Sequence, residues 1–162
     1  MRKAILKVHT EVGVPVEAAR EWFLSLQEHP ERYSFETHEG FEFEKGGFGE
    51  VGAQFKTRER FLFAKLGLLF ELKDVRERTF SFRLIQPSHL GIWGRFEIHG
   101  NNGESSLWLY IGSETRLGQL MLRCYPVAAT IHRQIRDEVC HIRGSMERVY
   151  GDRQPESRNT GE

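Results

Sequence analysis

The sequence lacks an excess of either charge. Its 23 lysine and arginine residues balance 23 aspartate and glutamate residues, and no basic block is dense enough for a phosphate-binding stripe or a polybasic membrane anchor. It also lacks an uninterrupted apolar run near the roughly 18 residues of a membrane helix, and no apolar signal region follows Met1. We therefore expect no nucleic-acid partner, no integral membrane segment and a soluble protein of the cytoplasm.

Cysteine is scarce, with two residues in a chain of 162. Cys124 and Cys140 are 16 positions apart inside a predicted helix, which places them roughly 24 Å from each other and prevents a disulfide between them. We expect both to be buried structural thiols in a reducing compartment.

Familiar catalytic and metal-binding motifs are also absent. The seven histidines are dispersed without an H-x-H or H-x-x-x-H arrangement, and no serine lies in a nucleophile elbow. The glycines at 46, 47, 49 and 52 fit neither a dinucleotide-binding nor a P-loop pattern. The sequence therefore predicts no metal site and no cofactor.

Alternating apolar residues are abundant and predict a sheet. Residues 3–12 alternate as a half-buried strand, and residues 14–27 have the spacing of a short helix that begins near Pro15. From Ser34 to Ser113 apolar residues recur at every second position, with turn residues between the runs. This pattern predicts six more strands, at about 35–44, 52–63, 68–76, 79–86, 91–99 and 106–112.

Helical periodicity returns after Glu114 and continues to Tyr150. Apolar residues from Leu117 to Val149 fall on one stripe of the predicted helix, and Pro126 must interrupt it because proline has no amide hydrogen. We expect a short helix, a kink and a long helix. Residues 1–150 then form one domain, and residues 151–162, which have no apolar anchor, form a disordered tail.

Two stretches, FETHEGFEF at 35–43 and FKTRERFLF at 55–63, share the pattern F-x-T-x-E-x-F-x-F. If they form a hairpin that is symmetric about Gly49, Glu39 lies opposite Glu59 on the apolar face. On the other face Glu42 then meets Lys56, which is a favourable cross-strand pair. The glycine-rich connection is expected to be a flexible lid.

Two ionised glutamates on a buried face would repel each other, so one would be protonated or a cation would lie between them. Glu39 and Glu59, with Thr37 and Thr57, then form a polar patch that fixes a ligand hydroxyl or acts as an acid/base pair. The alternative is that the sheet edge curls and both carboxylates reach solvent or pair with an arginine. The sequence leaves both interpretations open.

The order of elements and three stretches carry a resemblance to a known superfamily. VGVPVEAAREWF follows the first strand, VGAQFKTRERF precedes FELKDVRERTFSFRL, and LMLRCYPVAATIHRQI contains the proline-broken helix. The chain resembles the START-like (SRPBCC) helix-grip superfamily, which includes the birch pollen allergen, lipid carriers and the polyketide cyclase/dehydrase family. The resemblance implies an α+β fold in which a curved seven-stranded antiparallel sheet wraps around the long C-terminal helix.

The resemblance also implies a cavity between the sheet and this helix, which binds a small hydrophobic ligand such as a lipid, an isoprenoid or a polyketide-like molecule. The alternatives are a polyketide cyclase or dehydratase that uses Glu39 or Glu59 as its catalytic acid/base, and a protein-interaction module. An exposed patch of Trp93 and Trp108 would favour a homodimer. The candidate ligand-binding residues are Phe41, Phe61, Phe70, Phe82, Phe96, Leu109, Cys124, Ala128, Ile131 and Ile135.

Overall fold

The computed structural model describes residues 5–36, 38–61, 64–101 and 103–152. Over these residues the chain forms seven strands, three α-helices and three short 3-10 helices. The strands are β1 (Ile5–Val12), β2 (His38–Lys45), β3 (Gln54–Phe61), β4 (Ala64–Arg76), β5 (Thr79–Gln86), β6 (Ile92–Gly100) and β7 (Ser105–Ser113). The helices are α1 (Val16–Leu24), α2 (Arg116–Met121) and α3 (Val127–Tyr150), and the 3-10 helices are Ser25–Gln27, Pro30–Tyr33 and Ser88–Leu90.

The described strands form one antiparallel sheet in the order β1-β7-β6-β5-β4-β3-β2. Strands β2 to β7 follow one another as hairpins. Because β1 pairs with β7, β1 and β2 are the two edge strands, and the chain between β1 and β2 must cross from one edge of the sheet to the other. Helix α1 and two 3-10 helices make this crossing. Along β6 the residues Ile92, Phe96 and Ile98 are buried while Arg95 and Glu97 are more exposed, so the predicted alternation is confirmed.

The break at Pro126 separates α2 from α3, as the sequence predicts. In α3 the residues Ile135, Val139, Ile142 and Met146 are buried, whereas Leu117 and Leu120 of α2 are 53% and 64% exposed. The apolar stripe therefore does not run unbroken through α2, because residues 122–126 between α2 and α3 are not helical and interrupt the period. Helix α3 ends at Tyr150, and the predicted tail lies outside the described residues from 153 onward.

An aromatic core fills the space between α1 and the sheet. The Phe23 ring is fully buried, with its centroid 4.9 Å from that of Phe80 and 5.0 Å from that of Phe96. Behind it, the buried Trp22 Nε1 donates a hydrogen bond to Ser145 Oγ of α3 at 2.9 Å. This contact joins α1 to the C-terminal helix.

The glycine-rich connection between β2 and β3 is anchored in the same core. Phe48 is fully buried and packs against Phe41, Phe55 and Phe80, with ring centroids 5.4–6.1 Å apart. The backbone of Gly52 also donates to Leu72 O at 2.8 Å. The expectation of a flexible lid is wrong, because the glycines allow the loop to turn back and bury an aromatic ring.

Both cysteines are exposed, which contradicts the expectation of buried thiols. Cys124 precedes α3 and Cys140 lies one position past Val139, on the side of α3 that faces away from the sheet. The difference arises because Cys124 lies in the break between α2 and α3, outside either helix, and Cys140 follows the buried Val139 by one position and so points about 100° away from it.

Trp93 and Trp108 do not form an exposed patch. Each is partly buried, and the ring of Trp93 lies against Gly112, where an added Cβ would come within 2.4 Å of it. His9 stacks on Trp108 with 4.2 Å between ring centroids, and the Lys7 ammonium lies 4.2 Å from the same ring. A homodimer stays a prediction without this patch to support it.

Candidate functional site

A cavity of about 230 Å³ lies between the sheet and the two C-terminal helices. The ring of Phe82, from β5, is part of its lining. This ring lies so close to Gly94 that a side chain at position 94 would collide with it. Leu66, which is 41% exposed, lies where the cavity approaches solvent. The apolar lining consists of Phe55, Phe61, Leu66, Leu68, Phe70, Phe82, Leu84, Leu90, Ile92, Leu109, Ile111, Met121, Leu122, Ile131 and Ile135.

Polar side chains form a contiguous group on the lining. His38 comes from β2, Thr57 and Glu59 come from β3, and Gln134 and Glu138 come from α3. The Tyr33 hydroxyl, at the end of a 3-10 helix, donates a short hydrogen bond to Glu138 Oε1, and its ring lies 4.8 Å from that of His38. We call Tyr33, His38, Glu59 and Glu138 the ionisable cluster.

A bulge in β2 decides which residue of the hairpin faces the cavity. The pairs Phe43 with Phe55, Glu42 with Lys56 and Phe41 with Thr57 follow the predicted register. Between Gly40 and His38, however, β2 contains one residue more than β3 does, so that His38 lies opposite Glu59. The predicted pairing of Glu39 with Glu59 is wrong, because the extra residue moves Glu39 to the other face.

Glu39 lies on the outer face of the sheet, between two cations. Its carboxylate accepts hydrogen bonds from Lys65 Nζ, at 3.1 Å, and from the Arg60 guanidinium. These contacts with Lys65 and Arg60 hold the pKa of Glu39 below its ordinary value. Glu39 thus follows the second interpretation of the sequence, in which the carboxylate pairs with an arginine. Glu39 and Glu59 do not form a polar patch together.

His38 is 3% exposed and is held between rings and a carboxylate. Its Nδ1 lies 2.7 Å from Glu59 Oε1, although the oxygen lies off the direction of the ring N–H, so the contact is an ion pair rather than a straight hydrogen bond. Phe35 stacks on the ring at 5.2 Å between centroids. Burial lowers the pKa of His38, but the interaction with Glu59 and the charge of Glu138 outweigh it and leave the pKa above its ordinary value.

Glu138 holds its proton unusually strongly. The residue as a whole is partly exposed, but its carboxyl group is enclosed by protein. This burial raises the pKa of Glu138 to about 7, although the charge of His38 acts to lower it. Burial and the neighbouring Glu138 also raise the pKa of Tyr33 well above its ordinary value. The cluster therefore places a histidine whose pKa is raised beside Glu59, close to a carboxyl group whose pKa is about 7.

Besides Nδ1 of His38, which contacts Glu59, two buried polar atoms of lining residues have no hydrogen-bond partner among the described residues. They are Nε2 of His38 and Oγ1 of Thr57, whose residue is 2% exposed. Thr57 and Glu59 lie two positions apart on β3 and so project from the same face, next to His38 on the neighbouring strand. Both residues line the cavity, so these two unpaired atoms are the candidates to bond the polar end of a ligand.

Six of the ten sequence-predicted ligand residues line this cavity, namely Phe61, Phe70, Phe82, Leu109, Ile131 and Ile135. Phe41 and Phe96 lie in the aromatic core, Cys124 is exposed, and Ala128 is in the first turn of α3, outside the lining. Of the two glutamates predicted as catalytic, Glu59 lines the cavity and Glu39 does not. Thr37 lies outside the described residues.

Sequence reasoning missed Tyr33, His38 and Glu138. One signal for Glu138 was present, since it follows Ile135 by three positions and Ile131 by seven, which puts a carboxylate in the apolar stripe of α3. His38 carried no such signal, because its position in the alternation assigns it to the polar face. Only the bulge reverses this assignment.

No group of three or more histidine, cysteine, aspartate or glutamate side chains in the described part of the chain could hold a metal ion. Within the same residues no helix is both long and apolar enough to cross a membrane.

No family model and no curated protein sequence matches this chain. Solved structures do. The protein TTHA0849 from Thermus thermophilus is 11% identical, with a TM-score of 0.71 over 90% of this chain and 98% of that one. The Zhui aromatase/cyclase from Streptomyces sp. R1128 is 13% identical, with a TM-score of 0.68 over 91% and 95% of the two chains.

Major latex-like protein 151 from Panax ginseng is also similar, with 13% identity and a TM-score of 0.55 over 85% of this chain and 96% of that one. At these identities the comparisons show the fold. The chain therefore has an α+β helix-grip fold, with its seven-stranded antiparallel sheet set against a long C-terminal helix.

Proposed function

We propose that the cavity binds a small, mainly apolar molecule with one polar end. The observation that carries this proposal is the combination of an apolar lining with two buried, unpartnered polar atoms, Nε2 of His38 and Oγ1 of Thr57. A folded core fills its space and pairs its polar atoms, so an interior that does neither is adapted to a ligand. The structural likeness to an aromatase/cyclase supports the same proposal.

The volume restricts the ligand further. An apolar cavity of about 150 Å³ holds one benzene molecule, so the observed 230 Å³ accommodates roughly ten non-hydrogen atoms. Within the classes of lipid, isoprenoid and polyketide-like molecule, this size favours a short isoprenoid or a compound with one or two aromatic rings. A long-chain lipid would leave much of its chain outside.

Blocking the cavity tests the proposal. Ile131 lines the cavity from α3, so Ile131→Trp fills it, whereas Leu120→Trp places the same side chain at a position that is 64% exposed and outside the lining. Naphthalene and 2-naphthol are suitable probes, with binding measured by isothermal titration calorimetry. We expect Ile131→Trp to weaken binding at least about tenfold, or about 1.4 kcal/mol, and Leu120→Trp to change it little. Equal binding by both variants would place the ligand elsewhere.

A second candidate function is acid–base catalysis on the bound molecule, which the ionisable cluster favours. A carboxyl group with a pKa of about 7 is suited to accept and return a proton at neutral pH, and Glu138 has this property while facing an apolar cavity. The step would remove a proton from the carbon next to a ligand carbonyl, break that C–H bond and return a proton from the carboxyl group. Glu59 provides the second carboxylate.

Deuterium exchange measures this step directly. The probe is 2-tetralone, a two-ring ketone, in D2O with exchange at the carbon next to the carbonyl followed by NMR. We expect wild-type protein to accelerate the exchange, Glu138→Gln and Glu59→Gln to reduce it about 10²-fold or more, and Glu39→Gln, on the outer face, to leave it unchanged. Bound ketone with no accelerated exchange would exclude this catalysis and leave the binding function in place.

The third function expected from the sequence, a protein-interaction module, stays a prediction.

A further inference from the structure

We propose that the ligand carries an uncharged hydroxyl group, alcoholic or phenolic, which bonds to His38 Nε2 and Thr57 Oγ1, and that the same end of the cavity rejects carboxylates. This inference rests on the proposed binding function and names the chemistry of the polar end.

The two unpartnered atoms define the hydrogen-bonding requirement. His38 is 3% exposed and Thr57 is 2% exposed, so bulk water does not reach them freely. Leaving a buried polar atom unpaired costs a folded protein roughly 1–3 kcal/mol, and a ligand that pairs it recovers part of this cost on binding. A hydroxyl is small enough to reach two neighbouring strands and both donates and accepts.

The charges around the cluster define what the polar end rejects. Glu59 and Glu138 already face the cavity, and a ligand carboxylate would add a third acid to them. The described lining contains neither lysine nor arginine. The nearest cations of the hairpin, Arg60 and Lys65, are bound to Glu39 on the outer face, so they do not neutralise a charge inside.

A cationic ligand is also disfavoured, because the cluster supplies its own positive charge. His38 forms an ion pair with Glu59, and Tyr33 holds Glu138 through a hydrogen bond. A ligand ammonium would have to displace His38 from its carboxylate and would leave the imidazole without that partner. The arrangement therefore matches a group that hydrogen-bonds without carrying charge.

Four probes with one shared ring system separate these cases: naphthalene, 2-naphthol, 2-naphthoate and 2-naphthylmethylammonium. Naphthalene and 2-naphthol differ by one oxygen atom, so the difference between their dissociation constants reports the polar end. The slightly larger 2-naphthoate and 2-naphthylmethylammonium test for a charged polar end. Isothermal titration calorimetry on wild-type protein at pH 7 measures the four dissociation constants. We expect 2-naphthol to bind at least about tenfold more tightly than each of the other three.

Thr57→Val tests the contact with the least change of shape, since it removes one polar atom and keeps the branched side chain. We expect this variant to reduce the preference for 2-naphthol over naphthalene by about tenfold and to bind naphthalene as well as wild type does, which shows that the cavity is intact. His38→Phe should do the same, and Glu39→Gln, outside the cavity, should keep the full preference. Because Thr57→Val removes an unpaired buried hydroxyl, it should fold at least as stably as wild type.

Each unfavourable outcome has a distinct meaning. Equal affinities for naphthalene and 2-naphthol would overturn the hydroxyl inference and leave the proposed binding function standing, since the two atoms would then be paired by water. Tighter binding of 2-naphthoate or of the ammonium would overturn it in favour of a charged ligand. If no probe binds, the proposed function fails and the inference fails with it.

Discussion

His38 and Glu59 lie opposite each other on β2 and β3, with Nδ1 of the histidine 2.7 Å from Oε1 of the glutamate. The ring of Tyr33 lies against His38, and its hydroxyl bonds Glu138 across the gap to α3. A chain of contacts thus connects the edge of the sheet to the C-terminal helix.

The first prediction concerns the imidazole of His38. Its pKa should lie above the ordinary value of about 6.5 in wild-type protein, and Glu59→Gln should lower it, because burial is then opposed by the charge of Glu138 alone. Titration of the ring protons by NMR measures both values. Glu39→Gln removes a carboxylate one position away that does not face the ring, so it should leave the titration unchanged. An identical pKa in wild type and Glu59→Gln would contradict the ion pair.

The second prediction is that Glu138 and His38 both contribute stability that is lost as pH rises from 5 to 8. The pKa of Glu138 is about 7 in the folded protein and about 4.5 when unfolded, so its contribution is fully present below pH 4.5 and is lost as pH rises to 7. The raised pKa of His38 acts in the same direction, with stability that is present below about pH 6.5 and lost as pH rises through the folded pKa.

Urea unfolding at pH 5 and pH 8 measures this dependence. Glu138→Gln should reduce the loss by up to about 3 kcal/mol, because glutamine has no proton to release and can still accept the Tyr33 hydrogen bond. Glu39→Gln should keep the wild-type dependence, since the pKa of Glu39 is below its ordinary value and Glu39 stays ionised across this range. A Glu138→Gln variant with the full wild-type loss would show that this carboxyl group titrates normally.

The third prediction compares two indole hydrogen bonds. Trp22 Nε1 donates to Ser145 Oγ at 2.9 Å in the buried core, and Trp108 Nε1 donates to Ser106 Oγ at 3.1 Å on the outer face of the sheet. Ser145→Ala should destabilise the protein by about 1–3 kcal/mol because the buried N–H loses its partner, whereas water replaces the serine after Ser106→Ala. The cost of Ser106→Ala should stay below about 0.5 kcal/mol in thermal or urea unfolding. Equal costs would mean that water reaches Trp22.

The fourth prediction concerns thiol reactivity. Cys124 and Cys140 are both exposed, so both should react with a thiol reagent such as DTNB in the native protein, without denaturant. The measurement is the absorbance of the released thiolate, which should reach two equivalents per chain. Reaction of fewer than two until urea is added would show that a thiol is covered, as by self-association.

Most of the fold could be predicted from periodicity. The period of two from Ser34 to Ser113 predicts the strands, and the period after Glu114 with its break at Pro126 predicts α2 and α3. The pairing of Glu42 with Lys56 was also predictable, since the loop length and the charges of the hairpin agree on it. These features depend on local geometry, which a sequence specifies directly.

The candidate site was predictable only in its apolar part. Phe70, Phe82 and Leu109 are in the lining because strand alternation sends them to the covered face. Phe41 and Phe96 have the same alternation but lie in the aromatic core, since the boundary between core and cavity depends on where Phe23 and Phe48 pack. Periodicity assigns a residue to a face and does not say which neighbour covers it.

The sequence alone determined the strands and helices, the buried face of most strands and the break before α3. Tertiary structure decided the chemistry. One extra residue beside Gly40 brings His38 rather than Glu39 to Glu59, and packing of α3 against the sheet brings Glu138 to Tyr33. The reason is physical: side-chain period follows from backbone geometry within one element, whereas a bulge and a contact between elements depend on how the whole sheet bends and packs.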